Sequence, residues 1–268
     1  MLVILQRSKV LPFLGLVLMM LLSGTRSAEA IASPDDYFSK ATKLPQPLLL
    51  HTLYTESDGT TSNYTCSGVL VHKYYIVSAA HCIKPSSFSG SYAKYIDFKT
   101  KKPRIVSVPI EYWNIHPRYV SKTDQNDIAI VKLKKPITSL PVVSLPPQND
   151  LLLRGFTNLI AMGWGENQNG NQVGVPAFAL VDDMTDIYSN DESFNKETTL
   201  AAGRWRPVEQ IFTGVCSGDS GGPLLTRFGT RTFLIGIASL GYDDCTTASP
   251  SIYTRVSAYS EWLSGHWR

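Results

Sequence analysis

The sequence predicts an all-β fold, because short runs of β-branched and aromatic residues alternate with turn residues along most of the chain. Two pairs of runs are typical of hairpins. Residues 48–54 and 60–70 flank Asp58-Gly59, a pair that tolerates the positive φ of a tight turn, and residues 224–239 repeat the arrangement. Only the C-terminal segment has helical periodicity. We therefore expect a β protein that ends in one helix.

The predicted strands fall into two halves, separated by a proline-rich segment over residues 136–147. We interpret this segment as the link between two barrels or sandwiches, the first over about residues 31–145 and the second over about 146–268. Residues 182–199 are acidic and poor in strand formers, so we expect surface loops there. The helix is predicted over residues 257–267, where apolar side chains recur at helical intervals.

Residues 1–30 have the pattern of a secretory signal peptide. Arg7 and Lys9 precede an apolar run over residues 11–22, and small residues near position 30 offer a cleavage site. This run is shorter than the roughly 20 residues that cross a bilayer as a helix, so we expect export rather than a membrane anchor. The mature domain would then span residues 31–268 and be secreted, outside the cell or into a periplasm.

Composition and charge exclude several classes of protein. With 268 residues, 43% hydrophobic and 18% charged, the chain can bury a sizeable core, which excludes disorder, collagen and a coiled coil. Removal of residues 1–30 takes away three cations and one carboxylate, so the formal charge falls from +3 to +1. Nothing in that balance favours nucleic acid or an anionic membrane as a partner. Four cysteines without a Cys-x-x-Cys pair indicate disulfides rather than a metal site in an exported protein.

Three short motifs carry residues suited to chemistry. Ser220 lies among glycines, which can expose a hydroxyl on a tight turn and let backbone N–H groups converge. His81 ends an apolar run, and Asp127 begins another, where a buried carboxylate needs a partner such as a histidine ring. Any one of these residues alone is better interpreted as structural: a core histidine, a strand cap or a turn serine. Together they indicate nucleophilic catalysis.

These motifs, with two more, resemble those of secreted serine proteases of the chymotrypsin and trypsin family. The five segments follow the family's order and cover nearly the whole mature chain: residues 78–82, 126–129, 163–165, 218–223 and 252–256. The resemblance implies two six-stranded antiparallel β-barrels with a C-terminal α-helix, and a serine endopeptidase without cofactor or metal. An α/β hydrolase is excluded, because there the nucleophile precedes the acid and the histidine. His72 and His116 match no family motif, and we interpret them as surface residues.

The resemblance also implies a role for each site residue. Ser220 is the nucleophile, His81 the general base and Asp127 the group that orients the histidine. Ser239 would hydrogen-bond Asp127, and the backbone N–H groups of Gly218 and Ser220 would form an oxyanion hole. The expected partners are protein or peptide substrates and protein inhibitors of proteases. The mature enzyme is expected to be a monomer that binds neither nucleic acid nor a membrane.

The specificity pocket that the resemblance implies is uncharged. Its residues are Gly214, Val215, Ser239, Gly241 and Ser251. Gly214 stands at the base, where an aspartate would select Lys or Arg. A substrate cation would lose its solvation there without meeting a counter-ion, so we expect cleavage after apolar or aromatic residues. Asp243 and Asp244 would lie on the rim.

The four cysteines allow three pairings by sequence alone. The resemblance pairs Cys66 with Cys82, next to His81, and Cys216 with Cys245, across the pocket. A third bridge that is usual in the family is absent.

Activation is the point at which the chain departs from the family pattern. Family members usually become active when a cut exposes an Ile-Val-Gly-Gly terminus, whose ammonium pairs with the aspartate before the nucleophile. That string is absent, but Asp219 is present, and removal of residues 1–30 would expose Ile31. Our hypothesis is that signal cleavage creates the activating terminus. The departure leaves an alternative open: a catalytically silent protease homologue that acts as a binding or regulatory module.

Overall fold

The computed structural model describes residues 31, 36–37, 39, 43–55, 58–83, 90–99, 102–148, 158–166, 174–192, 194–208, 210–241 and 249–267. The strands formed by these residues are β1 (Asp36–Tyr37), β2 (Leu48–Thr55), β3 (Thr61–His72), β4 (Tyr75–Ser78), β5 (Tyr92–Asp97), β6 (Arg104–Ile115), β7 (Ala129–Leu133), β8 (Leu159–Gly163), β9 (Ala177–Asp183), β10 (Thr199–Arg206), β11 (Ile211–Thr213), β12 (Pro223–Phe228), β13 (Arg231–Leu240) and β14 (Ser251–Arg255). A 3-10 helix, Thr185–Tyr188, follows β9, so the expected loop region between β9 and β10 holds one helical turn.

Six strands close into a first barrel in the order β2-β3-β4-β7-β6-β5, with β5 pairing back to β2. Every pair of neighbours is antiparallel. The first predicted hairpin forms as β2 and β3, in which Leu48 pairs with Gly68 and Thr55 with Thr61. Gly59 takes a φ of 83° in its turn, a conformation that glycine adopts at no steric cost.

The second barrel has the order β9-β8-β12-β13-β14-β10 and is closed by pairing between β9 and β10. The second predicted hairpin forms as β12 and β13, with Phe228 paired to Arg231. Strand β11 pairs with β10, and β1 pairs with β9 of this barrel although it precedes the first barrel in sequence. The prediction of an all-β fold with two six-stranded antiparallel barrels is therefore confirmed.

Hydrophobic packing joins the two barrels. The larger cluster of buried side chains fills the first barrel and continues into the second through Leu225, Leu234 and Ile237. The smaller cluster lies in the second barrel and includes Ile31, whose side chain is fully buried. Apolar burial contributes roughly 25 cal/mol per Å², so this shared packing stabilises the contact between the barrels. Because protein interiors are closely packed, it also fixes the relative position of the barrels where they meet.

The C-terminal helix is confirmed but is shorter than its sequence pattern predicts. A 3-10 helix, Val256–Tyr259, leads into α1 (Ser260–Ser264). Tyr259 and Leu263 are buried against the first-barrel cluster. Trp267 lies beyond the helix and stacks on His72 instead, with ring centroids 6.1 Å apart. Within the described part of the chain, no helix has the length and hydrophobicity needed to cross a membrane.

The interpretation of His116 as a surface residue is wrong. Its side chain is buried between Tyr259 and Trp262, in edge-to-face contacts with centroid distances of 5.0 and 4.9 Å. Burial and the nearby charge of Arg118 lower the pKa of His116, which favours the neutral ring. His116 therefore packs between the first barrel and the C-terminal helical segment.

Candidate active site

A cavity of about 710 Å³ lies where the two barrels meet. Its lining includes His81 from the first barrel and Val215, Gly218 and Ser220 from the second. Two of the three predicted chemical residues thus face one space, and the third, Asp127, lies directly behind His81. Motifs that are far apart in sequence converge because each follows or precedes a barrel strand at this edge.

His81 is held by a tight turn that follows β4. The Ile83 N–H donates to the Ala80 carbonyl at 3.0 Å, and Cys82 forms a disulfide with Cys66 of β3. Cys82 is fully buried, whereas the His81 side chain keeps 18% of its surface exposed. The predicted Cys66–Cys82 bridge is confirmed, and it anchors the turn in the barrel while the imidazole stays at the edge of the cavity.

Asp127 is fully buried, and both of its carboxylate oxygens accept hydrogen bonds. Oδ1 accepts the His81 backbone N–H at 2.9 Å, and Oδ2 accepts His81 Nδ1–H at 2.7 Å and the Ser239 hydroxyl at 2.6 Å. These donors compensate for the lost solvation of the carboxylate. With Nδ1 carrying the proton, the other ring nitrogen, Nε2, is the basic atom of His81.

The turn over residues 217–221 holds Ser220 at the cavity. Gly218 and Gly221 have φ values of 85° and 77°, and a Cβ at Gly221 would collide with the Ser78 hydroxyl. The N–H groups of Asp219 and Gly221 donate to carbonyls at 3.0 and 2.7 Å. By contrast, the N–H groups of Gly218 and Ser220 have no hydrogen-bond acceptor within the described part of the chain. The turn therefore leaves two unused donors next to the Ser220 side chain.

Ser67, which the sequence analysis did not identify, connects this turn to the first barrel. Its hydroxyl donates to the Gly218 carbonyl and accepts the Trp164 N–H, both at 2.9 Å. Its backbone N–H donates to the Ser220 carbonyl at 2.7 Å. Ser67 is fully buried in β3, next to Cys66. One side chain of the first barrel thus forms hydrogen bonds with two segments of the second barrel, at Trp164 and at Gly218.

Asp219, the residue before Ser220, is fully buried beside Ile31. Its carboxylate accepts backbone N–H groups of Gly165 (2.7 Å), Cys216 (2.9 Å) and Ile31. Burial nevertheless raises the pKa of Asp219 to about 7, because no cation among the described residues compensates for the lost solvation. Ile31 has a φ of 69°, which is strained for a β-branched residue with a peptide bond on its amino side. The structure thus brings the two residues that the sequence analysis linked to activation into contact.

The residues predicted to form the specificity pocket lie together at the second-barrel side of the cavity. Val215, Ser239 and Gly241 line it. The Val215 N–H donates to the buried Ser251 hydroxyl at 3.0 Å, and Gly214 is buried beside Val215. Asp243, Asp244 and Cys245 lie outside the described residues. Cys216 is disulfide-bonded.

In two groups of described side chains, the potential metal-ligand atoms lie within 4.8 Å of one another. His81, Asp124 and Asp127 each place a ligand atom within 4.8 Å of the others, but both oxygens of Asp127 already accept hydrogen bonds. The second group consists of His81 with Cys66 and Cys82, whose sulfurs are joined to each other. Neither donor set fits a metal ion.

Comparison with known proteins identifies the family. The family model described as Trypsin matches residues 46–263. The chain is 32% identical over 230 residues to the serine proteinase stubble of Drosophila melanogaster. The aligned region covers 78% of this chain and 28% of that protein. It is 30% identical over 239 residues to a chymotrypsin of Phaedon cochleariae, covering 84% of this chain and 80% of that protein.

Other relatives are longer than this chain, and a solved structure shares its fold. Mouse complement factor I (Mus musculus) is 29% identical over 215 residues, which cover 75% of this chain and 34% of that protein. The chain thus spans about a third or less of the length of complement factor I and of stubble. The structure titled "Structure of GrC" superposes with a TM-score of 0.68 at 23% identity, covering 88% of this chain and 99% of that one. On the strength of the family model and the matched relatives, the chain belongs to the trypsin family of serine proteases.

Proposed function

We propose that the chain is an active, secreted serine endopeptidase that cleaves peptide bonds through an acyl-enzyme on Ser220. The proposal rests mainly on the Asp127 carboxylate, both of whose oxygens accept hydrogen bonds. Two of these bonds come from His81, at 2.9 and 2.7 Å. A histidine fixed in this way is a general base rather than a structural residue. The silent-homologue alternative gives no reason for burying a carboxylate behind a partly exposed imidazole.

In the first step of the proposed reaction, Ser220 Oγ attacks the carbonyl carbon of the substrate as His81 Nε2 takes the hydroxyl proton. Asp127 stabilises the imidazolium that forms. The N–H groups of Gly218 and Ser220, which have no acceptor among the described residues, would bind the oxyanion, where one donor contributes about 2.7 to 4 kcal/mol to transition-state stabilisation. The His81 proton then passes to the departing amine, and the C–N bond breaks.

In the second step, water replaces the amine. His81 takes a proton from the water, which attacks the acyl carbon and releases the carboxylic acid, and the proton returns to Ser220 Oγ. The substrates in this proposal are proteins or peptides, bound with an apolar or aromatic side chain against Val215 and Gly241. The protein works as a monomer without a cofactor, and protein inhibitors of proteases are its further expected partners.

The proposal includes activation by removal of residues 1–30. In a chain that starts at Ile31, the new ammonium would lie where the Ile31 N–H now meets Asp219. It would supply a cation to the buried carboxylate, which has none among the residues that the structure describes. It would also release the strain at Ile31, because a terminal residue has no preceding carbonyl for its side chain to meet. Signal cleavage and activation would then be one event.

The proposed function is tested by measuring peptide hydrolysis by the chain that starts at Ile31, beside two variants. Ser220→Ala removes the nucleophile. Asp127→Asn keeps the size of the side chain but presents an amide N–H to the ring, which imposes the wrong tautomer and lowers kcat by about 10⁴-fold. We expect hydrolysis by the unsubstituted chain alone. Hydrolysis that survives Ser220→Ala, or a folded chain with no activity on any peptide, contradicts the proposal and favours the binding-module alternative.

A further inference from the structure

Asp124 is a second carboxylate beside His81, and the proposed mechanism does not use it. It precedes Asp127 in the loop between β6 and β7, and its carboxylate lies within 4.8 Å of ligand atoms of both His81 and Asp127. It lines the catalytic cavity, and it also lines a neighbouring cavity of about 890 Å³. Asp124 therefore lies between the two cavities, beside His81.

Asp124 supplies the fixed charge in the described lining of the catalytic cavity. Among the described residues that line this cavity, it is the one carboxylate, and no lysine or arginine lines it. The neighbouring cavity adds Asp191 and Glu192 against a single cation, Lys196. The described linings of both spaces are therefore negative, and Asp124 is the lining carboxylate beside His81. Because a cavity with low-dielectric walls focuses such a field, this charge acts on bound side chains more strongly than an exposed one would.

Hydrogen bonding fixes the orientation of this carboxylate. The Tyr119 hydroxyl donates to Asp124 Oδ1 at 2.8 Å. Burial and the two neighbouring carboxylates, Asp124 and Asp127, raise the pKa of Tyr119 well above its usual range, so the phenol remains a donor. Asp124 is half-buried and has a φ of 48°. Its carboxylate is thus held in one place, with its second oxygen unused by any other described group.

Asp127 is not available for the same interaction with a substrate. It is fully buried, and its oxygens are taken by His81 and Ser239. A cationic substrate side chain near His81 would therefore meet Asp124 and not Asp127.

We propose that Asp124 is a specificity-determining residue, which selects a Lys or Arg side chain at a substrate residue next to the cleaved one. The inference rests on the proposed function, because it concerns the substrate of the same site. It gives a substrate class with two features: an apolar or aromatic residue in the uncharged pocket beside Val215 and Gly241, and a basic neighbour facing Asp124.

The test is kcat/KM on matched peptides that share a phenylalanine at the cleaved position and differ at one flanking residue, which is Lys, Gln or Glu. The flanking residue is placed on each side of the cleaved bond in turn. On one side, we expect Lys to be preferred over Gln by about three- to tenfold, from the upper part of the range of exposed ion pairs to beyond it, because the cavity screens less. Glu is expected to be the poorest of the three.

Two variants assign the preference to one carboxylate. Asp124→Asn keeps the acceptor for Tyr119 and removes the charge, so the Lys/Gln ratio is expected to fall to within about twofold of unity. Glu111→Gln is the matched control, because Glu111 is a carboxylate of the first barrel that lines neither cavity, and it should leave the ratio unchanged. The ratio is taken within each variant, so a change in overall activity does not affect it.

The outcomes separate this inference from the proposed function. Equal kcat/KM for the Lys and Gln peptides, or a preference that survives Asp124→Asn, overturns the inference while hydrolysis by Ser220 stands. If no peptide is hydrolysed in a Ser220-dependent way, both are overturned.

Discussion

The hydroxyl of Ser67, on the first barrel, donates a 2.9 Å hydrogen bond to the carbonyl of Gly218, on the second. The same hydroxyl accepts a hydrogen bond from the Trp164 N–H, and the Ser67 backbone N–H donates one to the Ser220 carbonyl. The relation between the barrels at the active site therefore depends on a side chain that takes no part in the chemistry. Ser67 is a positioning residue for the turn that carries the nucleophile.

Ser67→Ala is expected to lower kcat by about tenfold while changing KM little. The substitution leaves the buried Gly218 carbonyl and Trp164 N–H without partners, at about 1 to 3 kcal/mol for each buried group. Steady-state kinetics and thermal unfolding check both effects. Ser62→Ala, on the same strand and away from the turn, is the control. An unchanged kcat for Ser67→Ala would show that the turn keeps its geometry without this hydroxyl.

A chain that begins one residue earlier, at Ala30, is expected to lose at least tenfold in kcat/KM. Its ammonium would be displaced from Asp219 by about one residue length, roughly 3.8 Å, and the strain at Ile31 would remain. Terminal sequencing and peptide kinetics on the two purified chains check this prediction. Full activity of the chain that begins at Ala30, with its terminus intact, would refute the proposed activation route.

The same longer chain is expected to lose stability as the pH rises. Burial raises the pKa of Asp219 from 3.8 to about 7, so the native state keeps a proton that the unfolded state releases. This contribution to stability is complete below about pH 4 and disappears as the pH rises through about 7. Thermal midpoints between pH 4 and 8 should fall more steeply than those of an Asp219→Asn variant. Parallel curves for the two chains would contradict the assignment.

The identity of the cleaved residue is predicted by the uncharged pocket. Substrates with Phe or Leu at this position are expected to exceed those with Arg by at least tenfold in kcat/KM, because Val215 and Gly241 offer no counter-ion to a desolvated cation. Matched peptide substrates measure the ratio. Activity on the Arg substrate equal to that on Phe would refute the prediction and would indicate that Asp243 or Asp244 reaches the pocket.

The residues that a motif or turn chemistry marks could be predicted from the sequence. Asp58-Gly59 predicted its hairpin, and the strings around His81 and Ser220 predicted which segments the fold would bring to one cavity. In these cases the signal is local, since glycines and a buried polar residue in an apolar run are visible within a few positions.

The contacts of Ser67 and His116 could not be predicted from the sequence. The contact of Ser67 with Gly218 joins positions separated by 151 residues, and a serine in a strand does not identify so distant a partner. The one available signal was its position in an otherwise apolar run beside Cys66. Likewise, the aromatic partners of His116 come from the distant C-terminal helix, so its burial follows from tertiary packing and not from local pattern.

The measurement that tests the central claim most directly is intact mass of the chain that starts at Ile31, before and after reaction with a diphenyl phosphonate bearing a phenylalanine-like side chain. Such a probe reacts only with a serine whose proton is taken up by a general base and whose oxyanion is stabilised. We predict one equivalent of label, absent from Ser220→Ala and strongly slowed in Asp127→Asn. A folded chain that takes up no label, or a Ser220→Ala variant that is labelled equally, would contradict the account.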